Sequence, residues 1–247
     1  GVATVNGTSA LQVALRLVGV EVDDEVITQP LTFVATCNAV AYLGARPVFV
    51  DVERGSMCLD PDALIAFLRK TAERRNGACY NKLSGRRFAA CQVMHTFGHP
   101  AKVDRLAEIC SDWGIPFVED AAESLGSYYN DKHSGTYGKA GVFSFNGNKI
   151  ITTGGGGMIV TDDESLATRA KHLTTTAKEP HDYEYVHSEL GYNFRMPNLN
   201  AALGCAQMDQ LPQFIKAKRT LAQRYAVFCK EHKFTFLLEP HGARSNY

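Results

Sequence analysis

The sequence has no excess of charge of either sign: Lys+Arg and Asp+Glu both number 26 in 247 residues. A balanced chain carries no electrostatic footprint for nucleic acid or an anionic membrane, so neither is an expected partner. Basic pairs such as Arg69-Lys70 and Arg86-Arg87 read as solvated faces. No apolar run approaches the ~18 residues that a membrane span requires, and the N-terminus does not have the pattern of a signal peptide. The seven cysteines, Cys37, Cys58, Cys79, Cys91, Cys110, Cys205 and Cys229, stand singly and show no zinc or redox spacing. That pattern fits a reducing cytoplasm and provides no metal site. A GxGxxG after the first strand is also missing. The four consecutive glycines at 154–157 come late and precede a strand, which argues against a nicotinamide-binding domain.

What is present is an alternation of helix and strand. The hydrophobic fraction, 45%, is ordinary, and the length suits one large α/β domain, or one domain and part of another. Apolar spacing predicts helices over 8–18, 33–43, 60–70, 103–113 and 164–173, and a long helical stretch from 198 to about 230, interrupted near Pro212. Asp60 followed by Pro61 marks a helix start. Strands are expected at the N-terminus and over 25–28, 47–52, 88–94, 115–119, 142–145, 158–161 and 234–238. The polar, glycine-containing stretch 71–87 reads as a loop or a decorated edge. This order predicts an α/β fold with a mostly parallel sheet flanked by helices on both faces. Both ends read as cut, as in an internal segment of a longer protein.

In such sheets ligands collect at the carboxyl ends of the strands. Three stretches stand there. Asn6-Gly7-Thr8-Ser9 opens a helix, where free N–H groups and two hydroxyls can cradle a phosphate; the alternative is an ordinary Thr or Ser N-cap. Val118-Glu119-Asp120-Ala121-Ala122-Glu123 puts carboxylates after a buried strand, suited to hold a proton on a ring nitrogen, to ligate a metal or to cap a helix. Phe143-Ser144-Phe145-Asn146-Gly147-Asn148-Lys149 places a lysine between an apolar strand and the glycine run. It is either a solvated turn lysine or an amine kept nucleophilic by desolvation. Phe33 can stack on a ring or pack in the core. Together, lysine, acid and phosphate cradle are what pyridoxal 5′-phosphate (PLP) chemistry needs.

The stretches NGTSAL, PLTFVAT, GARPVFVDV, VMHTFGHP, VEDAAESLGS, FSFNGNK with TTGGGGM, and LGYNFRMPNLNAALG run in order from residue 6 to about 210. On these the sequence resembles the DegT/DnrJ/EryC1/StrS family of sugar aminotransferases. The wording of VEDAAESLGS, FSFNGNK and TTGGGGM is most similar to the branch acting on UDP-linked 4-keto-6-deoxy-N-acetylhexosamines, of bacillosamine or legionaminate type. The resemblance implies the large domain of a fold-type I PLP transferase over 1–210. Residues 211–247 would be a linker helix and the start of a small C-terminal domain, most of which, with an N-terminal segment, is missing.

The resemblance also implies roles. Lys149 anchors the cofactor covalently and later shuttles the proton. Asp120 pairs with the pyridine nitrogen. Thr8, Ser144 and the backbone of Gly7, Thr8 and Ser9 hold the phosphate, and Phe33 stacks on the ring. Asn193 reaches the phosphate in the neighbouring subunit of a homodimer with shared sites, and His95 lies near the substrate. Where many members carry Gln or His to meet the cofactor's phenolic oxygen, this chain has Glu123. A carboxylate facing a phenolate is repelled unless one of them holds a proton, which leaves the role of Glu123 to the structure. The implied reaction moves an amine from L-glutamate to C4 of a nucleotide-linked 4-keto-6-deoxy sugar. A PLP-dependent sugar dehydratase is disfavoured by Lys149, since histidine replaces the lysine there. A truncated, inactive PLP-binding module stays open as an alternative.

Overall fold

The computed structural model describes residues 1–247. In chain order the elements are β1 (Val2–Thr4), α1 (Gly7–Leu17), β2 (Glu25–Thr28), α2 (Val34–Ala41), β3 (Arg46–Phe49), α3 (Pro61–Thr71), β4 (Ala72–Arg75), β5 (Ala78–Asn81), β6 (Phe88–Met94), α4 (Val103–Trp113), β7 (Phe117–Asp120), β8 (Tyr128–Tyr129), β9 (Lys132–His133), β10 (Ala140–Ser144), β11 (Gly157–Val160), α5 (Glu164–Thr174), α6 (Asn198–Met208), α7 (Leu211–Glu231) and β12 (Ala243–Arg244). The main sheet has the order β1-β11-β10-β7-β6-β2-β3. Only β11 runs against its neighbours; β10, β7, β6, β2 and β3 are mutually parallel. This is the mostly parallel mixed sheet read from the sequence.

The strands divide their side chains between two cores, as a period of two dictates. Val26, Ala90, Val118 and Val142 face a core with Leu11 and Leu15 of α1, Val40 of α2 and Leu173 of α5. Ile27, Cys91 and Phe117 face the other, with Leu64 and Leu68 of α3 and Leu106 and Ile109 of α4. Burial on both faces is why these strands read as continuous apolar runs rather than alternating ones. The helix starts are fixed locally. Asn6 Oδ1 accepts from Ser9 N at 2.7 Å, Asp60 Oδ1 from Asp62 N at 2.8 Å, and Asp163 Oδ1 from Ser165 N at 2.8 Å.

Two expectations are corrected. The stretch 71–87 contains the hairpin β4–β5, closed by Asn76 (φ 50°) and Gly77 (φ 81°). Asn-Gly with both residues left-handed is the favoured two-residue hairpin turn, a signal hidden by the polar composition around it. The expected strand over 234–238 does not form, because no neighbouring strand offers it a ladder; Phe234 and Leu238 are exposed. A short pair forms instead between β12 and β8.

The C-terminal fifth, from α6 onward, is held differently. The long helical stretch breaks into α6 and α7 just before Pro212, and Leu211 and Phe214 pack against Ala121, Phe143, Phe145 and Ile151. Beyond that anchor α6 has no buried residue and α7 only Ala222. The chain then returns as a strap. Arg219 clasps Glu239 through two hydrogen bonds of 2.7 and 2.9 Å, and Ser245 and Asn246 are buried against the main domain. No helix is long and apolar enough to cross a membrane.

Candidate active site

The carboxyl ends of β6, β7 and β10 and the β1–α1 turn converge on one cavity of about 280 Å³. That is near the small end of the ~300–1,000 Å³ typical of ligand pockets. Its walls include Asn6, Gly7, Thr8, Phe33, Met94, Asp120, Glu123, Ser144, Asn148 and Lys149. Asp120 and Ser144 are the last residues of their strands, and the pleat and burial on both faces fix where their side chains emerge.

At one end of the cavity the N–H groups of Gly7 and Thr8 take no partner within the chain, while the Ser9 N–H is consumed by the Asn6 cap. The hydroxyls of Thr8 and Ser144 lie at the same end. A Cβ on Gly7 would come within 2.9 Å of Ser144 Cβ, and one on Gly157 within 2.7 Å of Gly7 N. Glycine at these positions therefore lets the helix start, β10 and β11 close around a small anion. Ser9 is a correction: it is buried outside the cavity and its N–H is already used. The helix cap is Asn6 rather than Thr8 or Ser9, and residues 7 and 8 keep their N–H groups free.

Asp120 lies deeper, 3% exposed. Its Oδ2 accepts from Thr36 Oγ1 at 2.8 Å and its Oδ1 from Ala122 N at 3.2 Å. Burial pushes this carboxyl above its ordinary range, against the opposing pull of the Thr36 hydroxyl, the Ala122 N–H and the charge of Lys149. A buried carboxylate with two donors and no cation bound to it is arranged to receive an N–H from a ligand. Thr36 was not singled out by the sequence, although it sits in the PLTFVAT stretch; Thr32 Oγ1 lies 2.6 Å from its hydroxyl and orients it.

Lys149 follows β10 on a turn tied by its own N–H to Asn146 O at 3.0 Å. Its side chain is 15% exposed, and its Nζ lies 3.4 Å from Glu123 Oε1. Phe33 is the residue before α2, exposed at the cavity mouth rather than packed in the core.

His95, expected near the substrate, is not among the residues that line the cavity. It is fully buried: Nδ1 accepts from Ala101 N at 3.1 Å, so the ring proton sits on Nε2, 3.1 Å from Glu119 Oε2. Glu119 also accepts from the N–H groups of Gly135, Tyr137 and Gly138 at 2.8, 2.6 and 2.7 Å. Burial alone would raise its pKa; the His95 ring and these N–H groups outweigh it and hold the carboxyl below its usual range. Its job is to pin the 135–138 loop beneath β7. A folded-state pKa lowered in this way contributes stability above the ordinary carboxylate range, and loses it as pH falls through the folded value. Glu119→Gln turns an NH₂ toward backbone donors and should cost about 3 kcal/mol at neutral pH, with a flatter acid limb in urea titrations. An unchanged midpoint would remove Glu119 from this role.

Asn193 also stands outside its own chain's cavity. Tyr192 and Phe194 stack on each other with centroids 4.8 Å apart and pack onto the first core, so the alternation turns Asn193 and Arg195 outward, where both are exposed.

The cavity thus brings together free N–H and hydroxyl donors for an anion, a buried carboxylate for a ring N–H, an amine and an exposed aromatic ring. That donor set fits PLP, with Gly7, Thr8 and Ser144 toward its phosphate, Asp120 toward its pyridine nitrogen and Lys149 toward its aldehyde carbon. Comparison with known proteins agrees. EpsN of Bacillus subtilis (strain 168), assigned as a pyridoxal phosphate-dependent aminotransferase, is 43% identical over 220 residues, covering 89% of this chain and 54% of the relative. The GDP-perosamine synthase of Escherichia coli O157:H7 is 38% identical over 220 residues, covering 89% and 56%. The crystal structure of a DegT DnrJ EryC1 StrS aminotransferase from Brucella abortus superposes with a TM-score of 0.86 at 29% identity, covering 100% of this chain and 63% of that one. The large-domain fold of PLP transferases is therefore the fold of this chain, which spans little more than half the length of the curated relatives it matches. The model of the DegT/DnrJ/EryC1/StrS aminotransferase family matches residues 1–246, and the chain belongs to that family.

Proposed function

We propose that this chain is the cofactor-binding part of a PLP-dependent aminotransferase that moves an amine from L-glutamate to C4 of a nucleotide-linked 4-keto-6-deoxy sugar. The observation that carries the reading is the convergence of Lys149, Asp120 and the free Gly7 and Thr8 N–H groups on one cavity. When bound, PLP supplies an aldehyde that takes up amines and a ring that withdraws electrons from the carbon beside them. Asp120 keeps a proton on the ring nitrogen. Lys149 Nζ takes the proton from the α-carbon of the donor and later delivers one to the sugar carbon that receives the amine. Gly7, Thr8 and Ser144 hold the anion and fix the register of the whole arrangement. The division into a large domain over 1–210 and the beginning of a smaller one over 211–247 belongs to the same proposal, as does a cytoplasmic location, which seven free cysteines support.

The test is a visible spectrum with and without L-glutamate, followed by a panel of nucleotide keto sugars. UDP-linked N-acetylhexosamines represent the branch that the motifs resemble, and GDP-linked sugars the E. coli relative. Turnover of ordinary α-keto acids, with no product from any sugar, would refute the sugar assignment.

The site is further proposed to be shared across a homodimer. The outward Asn193, away from its own cavity, supports a role toward a partner's phosphate site. Lys149→Ala and Asn193→Ala chains should each be weak alone. Mixed, one site of each heterodimer collects both defects and the other is intact, so activity should partly return. No rescue after verified subunit exchange would refute the shared site.

A further inference from the structure

Glu123 is the ionisable cavity residue that the aminotransferase reading leaves without a task, and it is where three separate segments meet. Its Oε1 lies 3.4 Å from Lys149 Nζ, the only hydrogen-bond partner Nζ has. Its Oε2 accepts from Phe97 N at 3.0 Å. Its backbone carbonyl accepts from Asn246 Nδ2 at 2.8 Å, and the same amide bonds Leu125 O at 2.9 Å.

Each tie is built at some cost. Phe97 has φ 57°, a left-handed conformation that a bulky residue adopts only when its surroundings impose it. Asn246 is buried, and a Cβ on Gly98 would overlap its side-chain oxygen. The carboxylate is thus held from the loop after β6 through Phe97 N, while the returning strap holds the backbone at Glu123 and Leu125.

The pair also divides two cavities. Glu123, Asn148 and Lys149 line both the cofactor cavity and a second one of about 280 Å³, walled by Phe97, Ile150, Lys218 and Tyr247. The charged or titratable groups facing the pair are Asp120 from the first cavity, and Lys218 and Tyr247 from the second. Asp120 is engaged by Thr36 and Ala122, so Glu123 is the carboxylate within reach of the amine.

We propose that Glu123 is a further catalytic residue, the proton partner of Lys149. When the Lys149 ammonium must become a nucleophilic amine, a proton passes from Nζ to Oε1, leaving a neutral amine and a neutral carboxyl; it returns by the same path. Atoms and charge balance without a further reactant. A carboxyl that holds this proton is also free of the repulsion a carboxylate would meet from a phenolate.

The use of the proton rests on the aminotransferase reading, but the pairing does not, and it is measured on the cofactor-free chain. Trace acetylation at neutral pH is followed by mass spectrometry of the Lys149 peptide, normalised to the exposed Lys230. Glu123→Gln retains an acceptor for Phe97 N but cannot take a proton or balance the ammonium. Lys149 acetylation should rise roughly two- to fivefold, the effect of losing a partly exposed ion pair. Glu123→Asp, with the charge on a shorter stem, should fall between. Rates equal to wild type in whichever variants fold would overturn the pairing, whatever the activity assays show. A faster rate in Glu123→Gln together with undiminished turnover in the full-length enzyme would keep the pair and overturn the proton transfer.

Discussion

Lys149→Ala should abolish covalent cofactor attachment and lower amino transfer by about 10²–10⁴-fold or more, while leaving the fold intact. General acid–base catalysis alone accounts for that range, and the loss of the nucleophilic amine adds to it. The fold should tolerate the change because the lysine side chain makes a single polar contact, the partly exposed pair with Glu123. Such pairs contribute about 0.2–1 kcal/mol. The visible band of the attached cofactor should disappear, although PLP can still dock on the Gly7–Thr8 donors and on Asp120. A variant that keeps a tenth of the wild-type turnover would take Lys149 out of the chemistry.

Asp120→Asn should separate function from stability. The loss in amino transfer should be about 10²-fold or more, the scale seen when a charge-stabilising group is removed from a closed site, because a neutral amide cannot balance a proton on the ring nitrogen. Stability of the cofactor-free chain should move the other way. Burial raises the Asp120 pKa above the ordinary carboxylate range. The folded state therefore holds a proton more tightly than the unfolded one, and its stability declines as pH rises through the window between the two values. At neutral pH the native chain carries that cost, and asparagine removes it. The Thr36 hydroxyl, paired with Thr32, can reverse its hydrogen bond to suit the amide. Thermal unfolding of the cofactor-free variant should give a midpoint equal to or above wild type at neutral pH, with the advantage shrinking in acid. Near wild-type turnover, or a large destabilisation, would show that Asp120 is a structural carboxylate.

How much of this was legible in the sequence follows from the range of the interactions involved. The strands ending at Asp120 and Ser144 are set by apolar runs that any pattern reading finds, and in a parallel sheet their ends meet at one cavity. The free donors at Gly7 and Thr8 follow from a helix start preceded by a strand. The roles proposed for Lys149 and Asp120 rest on motif resemblance, since isolated carboxylates and a lone lysine do not declare them.

The failures are equally physical. His95 lay in a motif near the site, yet its direction depends on Glu119 and the Ala101 N–H, a network closed across three segments. The Ser9 N–H is taken by the Asn6 side chain, which caps the helix in place of the expected Thr or Ser. Thr36, Phe97 and Asn246 matter through partners distant in sequence: Asn246 reaches Glu123 across 123 positions, and nothing local marks it. The strand expected over 234–238 had suitable side chains but no neighbour to pair with, which no local pattern reveals.

The most direct test of the account is to locate the cofactor. The protein is loaded with PLP, reduced with borohydride to make the attachment permanent, digested and mapped by mass spectrometry. The account predicts a single modified peptide, the one containing Lys149, and no modification when Lys149 is replaced. Stoichiometric label on any other lysine, or none on Lys149 in a chain that binds PLP, would contradict it.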